Sequence, residues 1–205
     1  VDESRTFELI LASGSSTRRK LLEAAGLEFT VVRPTVDEDV VRETMMANNE
    51  FIDPADVAEV LARAKAEDVS GLYRDAIVIG ADQVLACQGQ IFTKPDSVDA
   101  ARETLMALRG RTHQLHTAVT IAEGGEARWA FVDTANLTMR DFSLAFLGLY
   151  LATAGERVTD SVGAYQLEGL GIQLFERIEG DYFTILGLPL LPLLEELRKR
   201  KVIQE

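Results

Sequence analysis

The stretch LASGSSTRRK, residues 11–20, sets Ser13, Gly14, Ser15, Ser16 and Thr17 between an apolar run and the cations Arg18, Arg19 and Lys20. A helix starting here would present free amide N–H groups and a partial positive charge. Hydroxyls and a glycine in the preceding loop let a phosphate come close, and arginines add charge and forked donors. The plain alternative is an ordinary N-cap followed by solvated basic residues. Basic side chains in a first helical turn oppose the helix dipole, however, and a bound anion would give them a reason. Neither GxxxxGK[ST] nor GxGxxG occurs in the chain, so this is not a Walker loop or a dinucleotide fingerprint.

Other candidates are spread along the chain. In IGADQVL, Asp82 follows an apolar strand-like run and Gly80, and could bind a divalent metal, activate water or simply form a turn. In TKPDS, Pro95 holds Lys94 in extended backbone, where it could neutralise phosphate or remain a surface lysine. VDED, residues 36–39, is either a Mg²⁺-binding carboxylate group or a solvated acidic loop. Lys65 in LARAKA reads as an exposed helical lysine. Glu168 in YQLEG, beside Gly169, could accept hydrogen bonds from a base edge or sit in a turn. His113 and His116 lie three apart on an expected strand, face opposite sides and suit structure better than one metal site.

Composition narrows the partners. With 33 acids against 21 bases the net charge is −12, which argues against a general nucleic-acid footprint. An anion bound here must be small and held by local cations. At 205 residues and 47% hydrophobic, the chain can bury a sizeable core in one domain or one two-lobed domain. No apolar run approaches the roughly 20 residues of a membrane-spanning helix, so no membrane partner is expected. The first residues, VDESRTFE, are polar, acidic and without an initiator Met, unlike a secretory signal; residues 1–6 are expected to form a flexible tail. Cys87 is the only cysteine, which rules out an internal disulfide and fits a reducing, cytoplasmic setting; no activating neighbour marks it as a nucleophile.

The elements that must position these residues alternate. Residues 7–12 read as a buried strand, followed by a helix capped by Ser16 or Thr17, with Leu21 and Leu22 inward and a stop at Gly26. LEFTVVRP reads as a second strand and VDEDVVRE is ambiguous. Asp53-Pro54 opens a helix through Ser70 with Val57, Val60, Leu61 and Ala64 inward. Residues 76–87 form a strand broken around Gly80-Ala81-Asp82, followed by a turn at residues 88–90. Ser97 caps a helix ending near Gly110, two strands meet at Gly124-Gly125, and an apolar-faced helix ends at Gly155. GAYQLEGLG, residues 163–171, is a tightly shaped loop. IQLFERIEG is a strand, and the chain ends in a helix. This pattern predicts an α/β fold with a mixed sheet.

Taken in order, ILASGSSTRRKLLEAAGLEF, VDED, LARAKA, IGADQV, TKPDS, LRGRTHQLHTAV, GAYQLEG and GLPL resemble the Maf family over about residues 9–197. Its members, first discussed as septum formation inhibitors, are nucleoside triphosphate pyrophosphatases. The resemblance implies hydrolysis between the α and β phosphates, giving a nucleoside monophosphate and pyrophosphate, with Mg²⁺ or Mn²⁺. It implies an elongated, two-lobed mixed sheet with flanking helices, shared with inosine triphosphate pyrophosphatases, with the active site in the central cleft. It implies a nucleoside triphosphate as small-molecule partner and a homodimer as the common assembly.

By position, Ser13, Ser15 and Arg18 match the phosphate-binding SxSxxR segment, Lys65 the lysine of the LAxxKA helix, and Lys94 that of the KP pair. Glu38 matches the family's metal-binding acid. Asp82 matches the proton acceptor, with a metal-binding role left open. Gln83, Glu168 and LFERIEG resemble the 7-methyl-GTP branch, where dTTP- and UTP-hydrolysing members read ADT and IQG. A carboxylate suits the donor edge of guanine, and a cationic methylated guanine better still. At the third specificity position stands Thr17, where the 7-methyl-GTP type can carry an aromatic and the pyrimidine type arginine; Ser16 replaces a common proline. The alternatives are a dTTP/UTP pyrophosphatase of the same family, or a non-enzymatic nucleotide-binding regulator of cell division.

Overall fold

The computed structural model describes residues 8–48 and 52–204. The expected tail at residues 1–6, and Phe7 of the first strand, lie outside the described residues. In chain order the strands are β1 (Leu9–Ala12), β2 (Thr30–Val32), β3 (Ile77–Cys87), β4 (Gln90–Phe92), β5 (Thr112–Glu123), β6 (Glu126–Met139) and β7 (Phe175–Glu179). The helices are α1 (Ser16–Ala24), α2 (Glu38–Asn48), α3 (Pro54–Leu72), α4 (Val98–Leu108), α5 (Leu144–Ala154), α6 (Tyr182–Ile185) and α7 (Leu190–Lys199). The strand order is β2-β1-β3-β5-β6-β7, with β4 paired to β3. β1 runs parallel to β2 and β3, whereas β3–β4 and β6–β7 are antiparallel, so the sheet is mixed. The expected α/β class holds.

The chain divides into two compact units. The first comprises the residues through Asp82, Thr117–Asp133, and those from Gly187 onward. Its β1-α1-β2 crossover and the return through α2 and α3 to β3 place β1 between two parallel neighbours. Ile10, Ala12, Val69, Ala76 and Val78 form a core cluster here, with Val32 against it. Helix α3 buries Val57, Ala58, Leu61, Ala62, Lys65, Ala66 and Val69. The expected inner face is therefore rotated. Val60 is exposed and Ala64 only half-buried, because the small side chains of Ala58, Ala62 and Ala66 let the helix approach the sheet more closely than a valine face would.

Three other expectations need correction. β3 is one uninterrupted strand of 11 residues, with no break at Gly80-Ala81-Asp82. The cap of α1 is Ser15, not Ser16 or Thr17: its Oγ accepts from Arg18 N at 3.3 Å, and Leu22 rather than Leu21 is fully buried. Of IQLFERIEG only Phe175–Glu179 is strand; Leu170–Leu174 winds into a 3-10 turn. The ambiguous VDEDVVRE becomes the start of α2, with Glu38 and Asp39 stabilised at its positive end. The turn after β3, the helix start at Asp53, the Ser97 cap and the Gly124-Gly125 turn fall where the sequence puts them, and Ser143 caps α5.

The second unit comprises Gln83–His116 and Thr134–Leu186. Its core joins Leu85, Leu105, Leu108, Leu115, Leu137 and Phe142. Inside it His113 Nε2 and the Tyr165 hydroxyl lie 2.8 Å apart, and both rings pack on Phe175. The backbone around Tyr165 is held from several sides. Tyr150 Oη donates to Ala164 O at 3.0 Å, and Ser161 Oγ donates to Tyr165 O at 2.6 Å while accepting from Tyr165 N at 3.1 Å. A Cβ on Gly163 would lie 2.2 Å from the Tyr165 ring, and one on Gly171 2.5 Å from Gln166 O, so neither position takes a side chain.

Burial pushes the His113 imidazole down from 6.5 to about 4. The folded state thus holds the ring neutral, while the unfolded chain takes up a proton below pH 6.5. Stability from this source is fully present above 6.5 and is lost as pH falls through about 4. The shift corresponds to roughly 3 kcal/mol. Urea unfolding across that window should show a stability slope that flattens in His113→Phe; equal slopes would dismiss the assignment.

Candidate functional site

The first unit brings seven of the sequence candidates together. β1 ends at Ala12 and delivers Ser13 at the carboxyl end of the sheet, between β2 on one side and β3 on the other. That is the switch point at which open α/β sheets bind ligands. Ser13 is buried; its Oγ accepts from Ser15 N at 3.2 Å and from Arg18 Nη1 at 3.3 Å. Arg18 Nε donates to Gly187 O at 2.7 Å. The guanidinium is thus aimed by a hydroxyl at one end of the chain and a carbonyl at the other. Thr17, half-buried on the first turn of α1, sits beside it.

Asp82 and Lys65 are the buried heart of the site, at 5% and 7% exposure. Lys65 Nζ donates to Asp82 Oδ1 at 2.5 Å and pairs with Glu38 Oε1 at 2.6 Å. One ammonium therefore joins two carboxylates delivered by α2 and β3. Gly80 makes this geometry attainable. A Cβ there would sit 2.4 Å from Ala62 O and 2.7 Å from Ala66 N, so only glycine lets α3 lie close enough for Lys65 to reach Asp82. The expectation that Lys65 is an exposed helical lysine is corrected on this ground. Asp82 lies within a strand and not in a turn.

The charges are balanced against burial. Desolvation raises the Asp82 carboxyl above its ordinary value, with Lys65 and then Arg18 pulling the other way. Desolvation likewise lowers the Arg18 guanidinium, and Asp82 and Glu38 counter it. Glu38 is reached from solvent, its side chain 43% exposed, and Arg42 approaches it at 3.7 Å while bonding Asp39 at 2.9 Å. The result is a desolvated carboxylate beside cations: a place where a proton can be taken up and a polyanion neutralised.

The donor set also bears on a metal. Among the described residues no three His, Cys, Asp or Glu side chains gather into a metal site. Glu38 and Asp82 nonetheless direct carboxylate oxygens at a single cation. Two hard oxygens suit Mg²⁺ or Mn²⁺, which complete their coordination with water and substrate phosphates. The residues present fit such an ion.

The remaining candidates belong to the second unit. Gln83 follows Asp82 on β3, and its Nε2 donates to Thr184 O and Ile185 O at 3.0 and 3.1 Å, so its donor end is taken by backbone. Lys94 is exposed and lines a surface cavity of about 480 Å³ with β4 and α4 residues such as Phe92, Glu103 and Thr104. Glu168 is exposed on the loop that follows the braced Tyr165. Three contributors went unnoticed as site residues in the sequence: Arg42, signalled by its i,i+4 spacing from Glu38; the Gly187 carbonyl, within GLPL; and Gly80, whose signal was mistaken for a strand break.

A family model described as Maf-like protein matches residues 8–200. The chain belongs to the Maf-like protein family. The Maf-like chain is 49% identical over 198 residues to a 7-methyl-GTP pyrophosphatase of Brucella abortus, covering 97% of this chain and 98% of that protein. It is 53% identical over 190 residues to a nucleoside triphosphate pyrophosphatase of Paramagnetospirillum magneticum, covering 93% and 97%. It is also 50% identical over 191 residues to a 7-methyl-GTP pyrophosphatase of Rhizobium meliloti, covering 93% and 95%. No helix among the described residues is long and apolar enough to cross a membrane.

Two substitutions test the packing of the site. Gly80→Ala should cost about 2 kcal/mol or more, because backbone and not a flexible side chain blocks the new methyl. Lys65→Met should cost about 3–5 kcal/mol by stranding buried carboxylate charge, and should lose less at low pH, where Asp82 is neutral. Denaturant titrations at two pH values would check both; a Lys65→Met cost independent of pH would contradict the shared-ammonium account.

Proposed function

We propose that this Maf-like protein is a nucleoside triphosphate pyrophosphatase acting with Mg²⁺ or Mn²⁺, with 7-methyl-GTP or a related modified guanine nucleotide as its preferred substrate. The observation that carries the reading is the buried Asp82 beside Lys65, Arg18 and the phosphate-sized donor loop at Ser13–Ser15. The names of the relatives support the reaction and the preference.

The chain's own residues divide the work. Ser13, Ser15 and the first amides of α1 donate to phosphate oxygens, and Arg18 and Lys65 neutralise their charge. Lys94 adds to that neutralisation. Glu38 and Asp82 would hold the metal ion, which supplies further charge stabilisation on the phosphate oxygens. Asp82, raised by burial, takes a proton from the water whose oxygen attacks the α phosphorus. The bond from the α phosphorus to the bridging oxygen breaks, and pyrophosphate leaves with that electron pair. Glu168 accepts hydrogen bonds from the donor edge of the base, and Thr17 and Gln83 are the two further positions that bear on base preference.

Asp82→Asn should lower pyrophosphate release by about 10²-fold or more. Because the folded-state pKa of Asp82 is raised, kcat/KM should fall as pH drops through a value above the usual carboxylate range. Turnover like that of the unaltered protein in Asp82→Asn would remove the base. Glu168→Gln should change the ranking of 7-methyl-GTP, GTP, dTTP and UTP while leaving kcat for the best substrate within about fivefold. An unchanged ranking would remove Glu168 from base reading.

A further inference from the structure

We infer that Arg33 is a further phosphate-binding residue of this site, and that it holds the distal phosphates, those that leave as pyrophosphate. The inference rests on the pyrophosphatase reading for the substrate class but on the first unit's geometry for the residue. In the parallel register Ala12 pairs with Val32, so Arg33 emerges level with Ser13 at the same end of the sheet. Pro34 restricts Arg33 to extended backbone and keeps it on that line. Its side chain then lies across the phosphate loop: a Cβ built on Gly14 would meet Arg33 Nε at 3.6 Å, Cδ at 3.9 Å and Cγ at 4.0 Å. Gly14 has no side chain to push it aside.

Two observations give this placement a purpose. Arg33 makes no hydrogen bond or ion pair among the described residues, whereas Arg18, Lys65 and Arg42 are all bonded to oxygens of the fold. Around the loop, Arg18 and Lys65 are matched in formal charge by Glu38 and Asp82. With Arg42 matched by Asp39 as well, that inner set is neutral before a metal or substrate arrives, and Arg33 adds a positive charge to it. Strand order then assigns its end of the polyphosphate. Asp82 lies on β3 and Arg33 follows β2, on opposite sides of β1. Two strand spacings separate those backbones, roughly 10 Å. With the α phosphate at Asp82, the Ser13–Ser15 loop carries the chain of phosphates across β1, and Arg33 meets its far end with a forked donor.

The test separates distal from proximal phosphate. Calorimetric titration of inorganic pyrophosphate and of GMP, each with Mg²⁺, is run on the unaltered protein, Arg33→Ala and Arg33→Lys. Arg33→Ala should weaken pyrophosphate binding about five- to tenfold and GMP binding less than about twofold, with Arg33→Lys between. KM for the nucleoside triphosphate should rise with pyrophosphate Kd while kcat stays within about twofold. Arg33 is exposed, so thermal midpoints should coincide. Unchanged pyrophosphate affinity in Arg33→Ala overturns the assignment while leaving the enzyme reading intact. Equal losses for GMP and pyrophosphate overturn the distal placement. If the unaltered protein releases no pyrophosphate from any triphosphate yet loses pyrophosphate binding with Arg33→Ala, the enzyme reading fails and Arg33 stands.

Discussion

A single ammonium group shared by two carboxylates organises the first unit. Lys65 reaches Asp82 and Glu38 at 2.5 and 2.6 Å, from a helix that would have to stand farther off if residue 80 carried a methyl group. Three elements, α2, α3 and β3, are tied at that point. Burying an ion pair is weakly stabilising at best, since desolvation offsets the Coulomb gain. The arrangement therefore makes sense as a poised one. The carboxylate most deprived of water is raised above its ordinary value by burial, with its cations pulling the other way. A cation arriving with substrate would have the same two carboxylates to bind, and Lys65 would be released towards phosphate.

That logic explains how a chain of net charge −12 can hold a polyanion. At physiological salt the field of distant surface carboxylates is largely screened beyond roughly 8 Å. What a bound phosphate experiences is set by neighbours: two buried or half-buried cations, hydroxyls, and the open amides of α1. Arg18 shows the cost and its solution. Desolvation works against its charge, and the fold offsets part of the loss through Asp82 and Glu38 while the Ser13 hydroxyl and the Gly187 carbonyl accept its hydrogen bonds.

How much of this could be read from the sequence depended on the range of the interaction. Local chemistry was legible: Asp53 and Ser97 cap helices because a short oxygen side chain there meets amides two or three residues on. The hairpin at Gln88-Gly89 and the turn at Gly124-Gly125 were legible because positive φ is required there. Residue types in the phosphate loop were also plain. Long-range facts were not. Val57, Val60, Leu61 and Ala64 make a valid apolar stripe, and nothing local reveals that Gly80 on a later strand invites the alanine face instead. The same contact turned an apparent exposed lysine into the buried centre of the site and an apparent strand break into continuous pairing. Gly80 was conspicuous in the sequence, but the sequence could not say whether it served a turn or a close approach.

The second unit solves a different problem, that of holding a surface loop in place. Glu168 lies on a surface loop, where a side chain ordinarily samples many positions and can discriminate little. Three residues earlier the chain is fixed at Tyr165 by the His113 ring, by a two-way bond with Ser161 and, through Ala164, by the Tyr150 hydroxyl. Ala164 is left at a φ of 58°, strained for a residue with a Cβ and tolerated because these bonds over-determine it. Gly163 and Gly171 close in around this anchor. Each bond is modest alone, but the His113–Tyr165 and Tyr150–Ala164 pairs are buried, and breaking either would leave a partner stranded in the core. A loop built this way forfeits backbone freedom during folding instead of on binding, so less is left to order when a ligand meets it.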